Sequence, residues 1–304
     1  MNGAAGEQTH PWQDGTQWYL SRPGVGAWGV WTEKVPGRGE DAEPLWEHHI
    51  SSQRGVLGVF DGAGGAGSAV TDPDRDGHRA THAWVASRVA AMATKEWFHN
   101  TVSQPGITDQ AEVEELEEGI SAALRLMRPK ERSRITGRMV RQMPTTMAAA
   151  TYRVVGREVE VRSLWAGDSR VHVLEPHHGL VALSRDHTEE QDALAQLRRD
   201  PPMTNMLNAS GDFFVDSAHQ RLPLPCVLVC ATDGFFGYVD TPHMFELLLL
   251  ESLEQATNEE EFAAGLERRV RSYTGDDATL AAVSLGFDTF YAMRFAFRSR
   301  LHAL

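Results

Sequence analysis

Aspartates beside glycines stand at the ends of several apolar segments of the chain. Asp61 and Asp233 each follow an apolar run and precede a glycine, Asp276 follows a glycine and precedes an apolar run, and Asp168 lies in a Gly-Asp-Ser turn. A carboxylate at a strand end rests on a rigid base, and a neighbouring glycine lets carbonyls and waters come close, as an octahedral metal site made of oxygen ligands requires. Each corner alone is more typical of an ordinary turn, because Asp and Gly favour turns. Their co-occurrence is not specific by itself.

The segments between these aspartates predict a layered α+β fold. Apolar runs predict strands at 27–31, 55–60, 145–154, 158–166, 170–175, 225–232 and 279–286. Helical spacing of apolar residues predicts helices at 78–99, 109–127, 242–254 and 259–273. The stretch 145–175 reads as three consecutive antiparallel strands, and residues 186–199 begin polar and become helical. Strands that alternate with two helix pairs are typical of an α+β sandwich.

We expect one domain with a short extension at each end. Residues 1–24 are rich in Gly and polar residues and predict an irregular lead-in, and residues 25–286 predict a single domain. Residues 287–304 interleave arginines with Phe and Tyr, which is typical of either a packing helix or a docking tail.

The bulk composition restricts the classes of partner. The chain has 304 residues and a formal net charge of -13, and a chain this acidic is a poor general binder of nucleic acid. Its two cysteines, Cys226 and Cys230, lie in one apolar run, and we expect buried, reduced thiols. The polar N-terminus lacks the apolar core of a signal peptide, and the longest apolar run, 245–250, is too short to cross a bilayer. These features predict a cytoplasmic protein without a membrane partner.

Seven short segments give the chain a resemblance to a known family. They are GEDA at 39–42, GVFDGAGG at 58–65, PTTMAAA at 144–150, WAGDSR at 165–170, LSRDHT at 183–188, CATDGFF at 230–236 and GDDATL at 275–280. In this order and at roughly this spacing they resemble the protein phosphatase 2C family of metal-dependent Ser/Thr phosphatases, over residues 27–286. The resemblance implies two antiparallel β-sheets packed as a central sandwich and flanked by pairs of helices, in four α-β-β-α layers. Residues 25–286 would be the catalytic domain.

The resemblance also implies the ligands of two Mg²⁺ or Mn²⁺ ions. Asp61 would bridge both ions, and the Gly62 carbonyl would bind one of them. Asp233 and Asp276 would complete the second. Asp277 is an alternative to Asp276 as the ligand, although the spacing to the following threonine favours Asp276.

Three further acidic residues would support the two ions. By the same resemblance, Glu40 and Asp41 would hold metal-bound waters, and Asp168 would serve a third, weaker metal site. Two such ions lower the pKa of a bridging water, so that hydroxide can attack phosphorus in line. Asp61 and Asp233 are therefore the main catalytic candidates. Neither cysteine lies in a Cys-x5-Arg loop, so a covalent cysteine intermediate is not implied.

The chain departs from the family at two functional positions. Many members have a histidine where this chain has Ala63, and a water, His48 or His49 could replace it as general acid. The interpretation that both histidines are surface residues is favoured. An arginine often precedes the Glu-Asp pair of the family, and Arg38 is the candidate here, because a guanidinium can bind phosphate through two hydrogen bonds. An exposed loop arginine is an equally good interpretation.

Other family segments predict structure more than chemistry. Arg170 reads as a structural residue, and His187 reads as a packing or hydrogen-bonding residue. Residues 201–211 lie where the family has a mobile flap beside the active site, and this flap could select substrates.

Three functions stay open on sequence alone. The first is an active phosphatase of phosphorylated proteins, opposing a Ser/Thr kinase. The second is a catalytically weak relative used as a signalling or interaction module. The third is a phosphatase for a sigma-factor regulatory protein. Retention of every main metal aspartate favours an active enzyme.

Overall fold

The fold is that of a computed structural model, which describes residues 17–64, 70, 80–102, 109–127, 142–188, 203–239 and 241–304. The strands in chain order are β1 Gln17–Arg22, β2 Val25–Thr32, β3 Leu45–His49, β4 Arg54–Val59, β5 Met147–Val155, β6 Glu158–Ala166, β7 Arg170–Glu175, β8 Gly179–Ala182, β9 Asp216–Pro223, β10 Cys226–Ala231 and β11 Ala278–Leu285. They form one sheet of order β1-β2-β11-β10-β7-β8 and a second of order β3-β4-β5-β6-β9. Every pair of neighbouring strands is antiparallel.

Helices cover the outer face of each sheet. They are α1 His82–Val102, α2 Asp109–Leu126, α3 Asp233–Phe236, α4 Pro242–Gln255, α5 Glu259–Tyr273 and α6 Phe290–His302. Helices α1 and α2 share an apolar cluster with the second sheet. Helices α4, α5 and α6 share another with the first sheet.

A third apolar cluster lies between the two sheets. Adjacent residues of β4 show how one strand serves two layers. Val56 belongs to the helix-covered cluster and Leu57 to the inter-sheet cluster, because successive side chains of a strand point to opposite faces. The predicted four-layer α-β-β-α sandwich is therefore confirmed.

The irregular lead-in predicted for residues 1–24 is wrong for its last part. Residues Gln17–Arg22 form β1, which pairs along its whole length with β2. Only Leu20 of this strand is buried, so its composition looks like that of a loop. Trp18 fixes the strand, because its Nε1 donates to the Pro44 carbonyl at 3.2 Å. Residues 1–16 lie outside the described part of the chain.

The prediction of three consecutive antiparallel strands at 145–175 is correct for one hairpin and wrong for the next. Strands β5 and β6 pair with each other, but β7 pairs with β8 and β10 in the other sheet. The chain crosses between sheets at Gly167, whose φ of +105° suits glycine. The sequence of a buried strand does not indicate which of the two sheets the strand joins.

The remaining differences concern short or polar elements. Strands β3, β8 and β9 were not predicted, because they are short or carry polar residues at sheet edges. Of the two interpretations of the C-terminal segment, the packing helix is correct, since Phe290, Met293 and Phe297 are buried. The helix predicted within 186–199 falls outside the described residues from position 189 onward. The proposed boundaries of a single domain, 25–286, stay a prediction.

Candidate active site

The corner after β4 holds Asp61 and Gly62 rigidly. The Asp61 carbonyl accepts hydrogen bonds from the Thr146 amide at 2.8 Å and from the Thr145 hydroxyl at 2.7 Å. Gly62 forms a β-bridge with Thr145. A Cβ at Gly62 would lie 2.6 Å from the Glu40 carbonyl oxygen, so only glycine lets the chain pass this close.

Asp41 lies at the centre of the site and is tied to two strand ends. Its Oδ2 accepts hydrogen bonds from the Thr232 hydroxyl at 3.1 Å and from the Thr279 hydroxyl at 2.8 Å. Thr232 precedes Asp233 and Thr279 follows the Asp276-Asp277 pair. One buried carboxylate therefore holds together the two strand ends that carry the other aspartates. Burial, followed by the negative charge of Asp277, raises the pKa of Asp41 to about 8.

Asp233 begins the one-turn helix α3. Its neighbour Gly234 packs against the opposite strand end, where a Cβ would lie 2.0 Å from the Asp277 carbonyl oxygen. Burial raises the pKa of Asp233 well above its usual range, and the charges of Asp61 and Asp168 raise it further. Asp61 and Asp168 therefore lie close enough to Asp233 for their charges to act on its carboxyl group.

Asp276 and Asp277 have different surroundings. Both oxygens of Asp277 accept backbone hydrogen bonds, from the Lys34 amide at 2.8 Å and from the Glu40 amide at 2.6 Å. Asp276 accepts hydrogen bonds from the Asp277 amide at 2.9 Å and from the Tyr238 hydroxyl at 3.4 Å. Asp277 therefore anchors the loop that carries Glu40, while Asp276 faces Tyr238.

Arg88 of α1 supports Glu40 and was not predicted from sequence. Its Nη1 donates to the Glu40 carbonyl at 3.2 Å, and the Ser87 hydroxyl donates to the same oxygen at 2.5 Å. The guanidinium also lies 4.1 Å from the centre of the Trp84 ring. An arginine on a helix is usually solvent-exposed, so the sequence carried no signal for this contact. Burial raises the pKa of the Glu40 carboxyl.

Six aspartates form what we call the carboxylate cluster: Asp41, Asp61, Asp168, Asp233, Asp276 and Asp277. Burial raises the pKa of Asp61 well above its usual range, and the charges of Asp41 and Asp168 raise it further. The charge of Asp61 in turn raises the pKa of Asp233, so these carboxyl groups lie within reach of one another's charge. Carboxyl groups this close cannot all be ionised unless a cation compensates their charge.

The donor set of the cluster fits a divalent cation of the Mg²⁺ or Mn²⁺ type, because all its side-chain donors are oxygens. Among the residues that the structure describes, no group of three or more His, Cys, Asp or Glu side chains is already arranged to hold a metal ion. Asp61 and Asp233 are both partly exposed, so the cluster opens to solvent on their side.

Asp168 and its neighbours join the sheets beside the cluster. The Ser169 hydroxyl lies 2.6 Å from the Thr146 hydroxyl, which fixes the turn next to the Asp61 corner. Arg170 makes two hydrogen bonds with Asp186, at 2.8 and 2.6 Å, and stacks on Phe236. These contacts confirm the structural role predicted for Arg170.

His187 and the described part of the expected flap are anchored. Nε2 of His187 lies 3.0 Å from Asp216, and its Nδ1 lies 3.0 Å from the Asn205 amide nitrogen, which confirms the predicted hydrogen-bonding role. Leu207 is buried, and its carbonyl accepts from the Thr145 amide at 3.1 Å. Residues 203–211 are therefore tied to the body of the fold. Residues 201–202 of the expected flap lie outside the described chain.

The predicted phosphate and proton-transfer residues lie in different places. Arg38 is exposed in the loop before Glu40. Its backbone amide donates to the Val35 carbonyl at 2.9 Å, while its side chain makes no hydrogen bond or ion pair with any residue that the structure describes. His48 pairs with Gly55 at the far end of β4. Six strand residues from there to Asp61 span about 20 Å, which places both His48 and His49 too far away to act as general acid. The suggestion that either histidine replaces the missing one is therefore wrong.

Cys226 and Cys230 are free and fully buried, as predicted. Burial raises the pKa of both thiols, that of Cys226 to about 12. Thiols of such high pKa are protonated and unreactive at neutral pH. In the described part of the chain, every helix is too short or too polar to cross a bilayer.

The chain resembles known proteins in sequence pattern and in fold. The family model described as Protein phosphatase 2C matches residues 41–281. A comparison with curated proteins gives no match. Among solved structures, the catalytic domain of the serine threonine protein phosphatase PstP in complex with two manganese ions is 17% identical, with a TM-score of 0.55, and the match covers 87% of this chain and 99% of that one.

Two further solved structures give similar values. The serine/threonine phosphatase PstP/Ppp of Mycobacterium tuberculosis is 16% identical with a TM-score of 0.58, over 86% of this chain and 99% of that one. Stp1 of Staphylococcus aureus is 16% identical with a TM-score of 0.58, over 85% and 94% of the two chains. At these identities the structures show a common fold.

Proposed function

The chain belongs to the protein phosphatase 2C family, and from this membership and the carboxylate cluster we propose that it is a metal-dependent protein serine/threonine phosphatase. It hydrolyses phosphoserine and phosphothreonine in proteins modified by a Ser/Thr kinase. The observation that carries the proposal is the position of Asp41, whose carboxylate ties together the strand ends that carry Asp233 and Asp276, beside a corner at Asp61 that opens to solvent.

We assign the direct ligands of two Mn²⁺ or Mg²⁺ ions to Asp61, the Gly62 carbonyl, Asp233 and Asp276. The two backbone hydrogen bonds of Asp277 support a positioning role for that residue and favour Asp276 as the ligand. When bound, two such cations lower the pKa of a bridging water and help to neutralise phosphate charge.

The remaining acidic residues bind water molecules or a third metal ion of lower affinity. Glu40 and Asp41 orient waters next to the ligands, and Asp168 serves a third site. Asp41 suits this role, because its Oδ2 is already fixed by Thr232 and Thr279. Arg88 keeps the Glu40 carbonyl in place from α1.

Substrate binding and proton transfer involve the open side of the cluster. Arg38 lies two residues before Glu40, and its exposed guanidinium can bind two phosphate oxygens at once. Ala63 cannot donate a proton, and His48 and His49 are too distant. We therefore assign protonation of the leaving serine or threonine oxygen to a water.

One experiment tests the proposal directly. Hydrolysis of a phosphothreonine peptide and of p-nitrophenyl phosphate is measured with and without Mn²⁺, for the wild type and for Asp233→Asn. The variant should lose at least about a hundredfold in kcat/KM, more than the 10–100-fold loss typical of a residue that only supports a ligand. The control is Asp288→Asn, an exposed aspartate at the opposite end of β11, which should keep full activity.

The result also separates the alternatives. Wild-type activity that is no higher than that of Asp233→Asn would rule out the enzyme. Calorimetric Mn²⁺ binding without hydrolysis would then favour a phosphatase-like interaction module. Hydrolysis of a phosphorylated sigma-factor regulator, but of no general phosphopeptide, would favour the narrower substrate.

A further inference from the structure

A pocket of about 310 Å³ opens between α4, α5 and the loop after α3. Its walls include Val239, Met244, Leu247 and Leu248. We call it the side pocket. Its volume is near the lower limit of about 300 Å³ seen for ligand pockets, which suits one large side chain better than a whole cofactor.

Tyr238 separates the side pocket from the carboxylate cluster. Its side chain lines the pocket, and its hydroxyl donates to Oδ2 of Asp276 at 3.4 Å. A Cβ at Gly275 would lie 3.0 Å from the Tyr238 ring, so the ring rests directly on the Gly275-Asp276 turn. One tyrosine side chain therefore spans the distance from the cluster to the pocket.

The chemistry of the pocket favours an apolar occupant without charge. Its two charged residues, Glu251 and Arg269, pair with each other at 2.5 Å. Tyr238 and Met244 are 45% and 42% exposed, which leaves apolar surface at the mouth. An apolar side chain that covers this surface gains hydrophobic free energy, whereas a charged one would lose hydration, and the charged residues of the described lining are already paired with each other.

The distance between the pocket and the carboxylate cluster indicates which residue of a bound peptide lies near the pocket. An extended peptide advances about 3.3 Å per residue, so crossing one tyrosine side chain takes about two residues. Side chains two residues apart in an extended peptide also point to the same side. A peptide that directs its phosphorylated side chain into the cluster therefore directs the second residue along toward the pocket.

We propose that the side pocket is a specificity site, which binds an apolar side chain two residues from the phosphorylated serine or threonine. This inference rests on the proposed function, because it needs the phosphate to lie at the carboxylate cluster. It adds a substrate class, namely phosphoproteins with a large aliphatic residue at that spacing.

The test uses the full chain with Mn²⁺ and phosphothreonine peptides that differ only at the second residue before or after the phosphothreonine, as Leu, Ala or Glu. For the wild type, kcat/KM of a Leu peptide should exceed that of the matching Ala peptide by about tenfold, as expected for an apolar pocket. In Met244→Lys this preference should disappear, and the Glu peptide should become a better substrate than it is for the wild type. Such an exchange of preference cannot result from misfolding.

The matched control is Met92→Lys, which changes a 72% exposed methionine on α1, on the other side of the sandwich, and should keep the wild-type preference. Two results would overturn the proposal. One is an equal kcat/KM of the wild-type enzyme for the Leu and Ala peptides, and the other is a Leu preference that persists in Met244→Lys. Activity toward p-nitrophenyl phosphate is measured in parallel. If the wild type fails there, the proposed function fails, and fluorescence anisotropy with the same peptides still tests the pocket by their order of affinity.

Discussion

At the scale of single residues, the site depends on small and hydroxyl-bearing neighbours as much as on its acids. Thr232 and Thr279 both donate to Asp41, and the Thr279 amide also donates to the Thr232 hydroxyl at 2.9 Å. These hydrogen bonds join the ends of two adjacent strands. They fix the strand ends that carry Asp233 and Asp276 before any ligand arrives, which reduces the cost of organising the site.

At Gly234 the two strand ends lie too close together to accommodate a side chain. A Cβ would lie 2.0 Å from the Asp277 carbonyl oxygen, and backbone cannot move aside as a flexible side chain can. Gly234→Ala should lower the free energy of unfolding by about 2 kcal/mol or more and weaken Mn²⁺ binding, because it separates the two strand ends. Urea denaturation and calorimetry measure the two effects.

The matched control is Gly119→Ala, in the middle of α2, where a Cβ would meet nothing within 4 Å. This change should stabilise the protein by up to about 1 kcal/mol, because alanine has the higher helix propensity. Equal unfolding free energies for the wild type and Gly234→Ala would show that the strand ends separate without cost.

At the scale of elements, the sequence predicted what local patterns encode. Strands β4, β10 and β11 are buried apolar runs and were found, and the aspartates at their ends were recognised with them. The edge strand β1 was missed, because its residues become a strand only by pairing with β2. The sheet to which β7 belongs was missed for the same reason. Arg88 was missed because its role arises from tertiary contact with the Glu40 loop.

Helix α6 is held by a buried charge pair as well as by its buried apolar residues. Arg300 makes two hydrogen bonds with Glu246 of α4, at 2.6 and 2.9 Å, and Glu246 is only 4% exposed. Arg300→Ala should lower the free energy of unfolding by about 3 kcal/mol, since it leaves a buried carboxylate without its partner. Arg298→Ala breaks an exposed pair with Glu254 and should cost less than about 1 kcal/mol. Similar losses in urea denaturation of the two variants would contradict this difference.

At the scale of the whole molecule, the sandwich brings the ends of strands from both sheets to one place. Asp61 follows a strand of one sheet, while Asp233 and Asp276 flank strands of the other. The chain carries a formal net charge of -13, and the carboxylate cluster concentrates part of that charge in a buried region. Folding without a cation therefore requires some of these groups to stay protonated.

The stability of the metal-free protein should accordingly fall as the pH rises. Asp41 has its pKa raised to about 8 by burial, so between about pH 4 and pH 8 the folded chain holds a proton that the unfolded chain has released. Because the folded state holds this additional proton, its stability relative to the unfolded state falls as the pH rises. For Asp41 alone the loss reaches about 1.4 kcal/mol per pH unit inside this window.

Thermal unfolding in EDTA between pH 5.5 and 7.5 measures this slope. Asp41→Asn should flatten it, because an amide cannot ionise yet still accepts the hydrogen bonds of Thr232 and Thr279, while Asp288→Asn should leave it unchanged. Saturating Mn²⁺ should raise Tm more at pH 7.5 than at pH 5.5, since a cation binds the ionised carboxylates and competes with protons for them. If the slope in EDTA were the same for the wild type and Asp41→Asn, the proton that this cluster holds would lie on another residue.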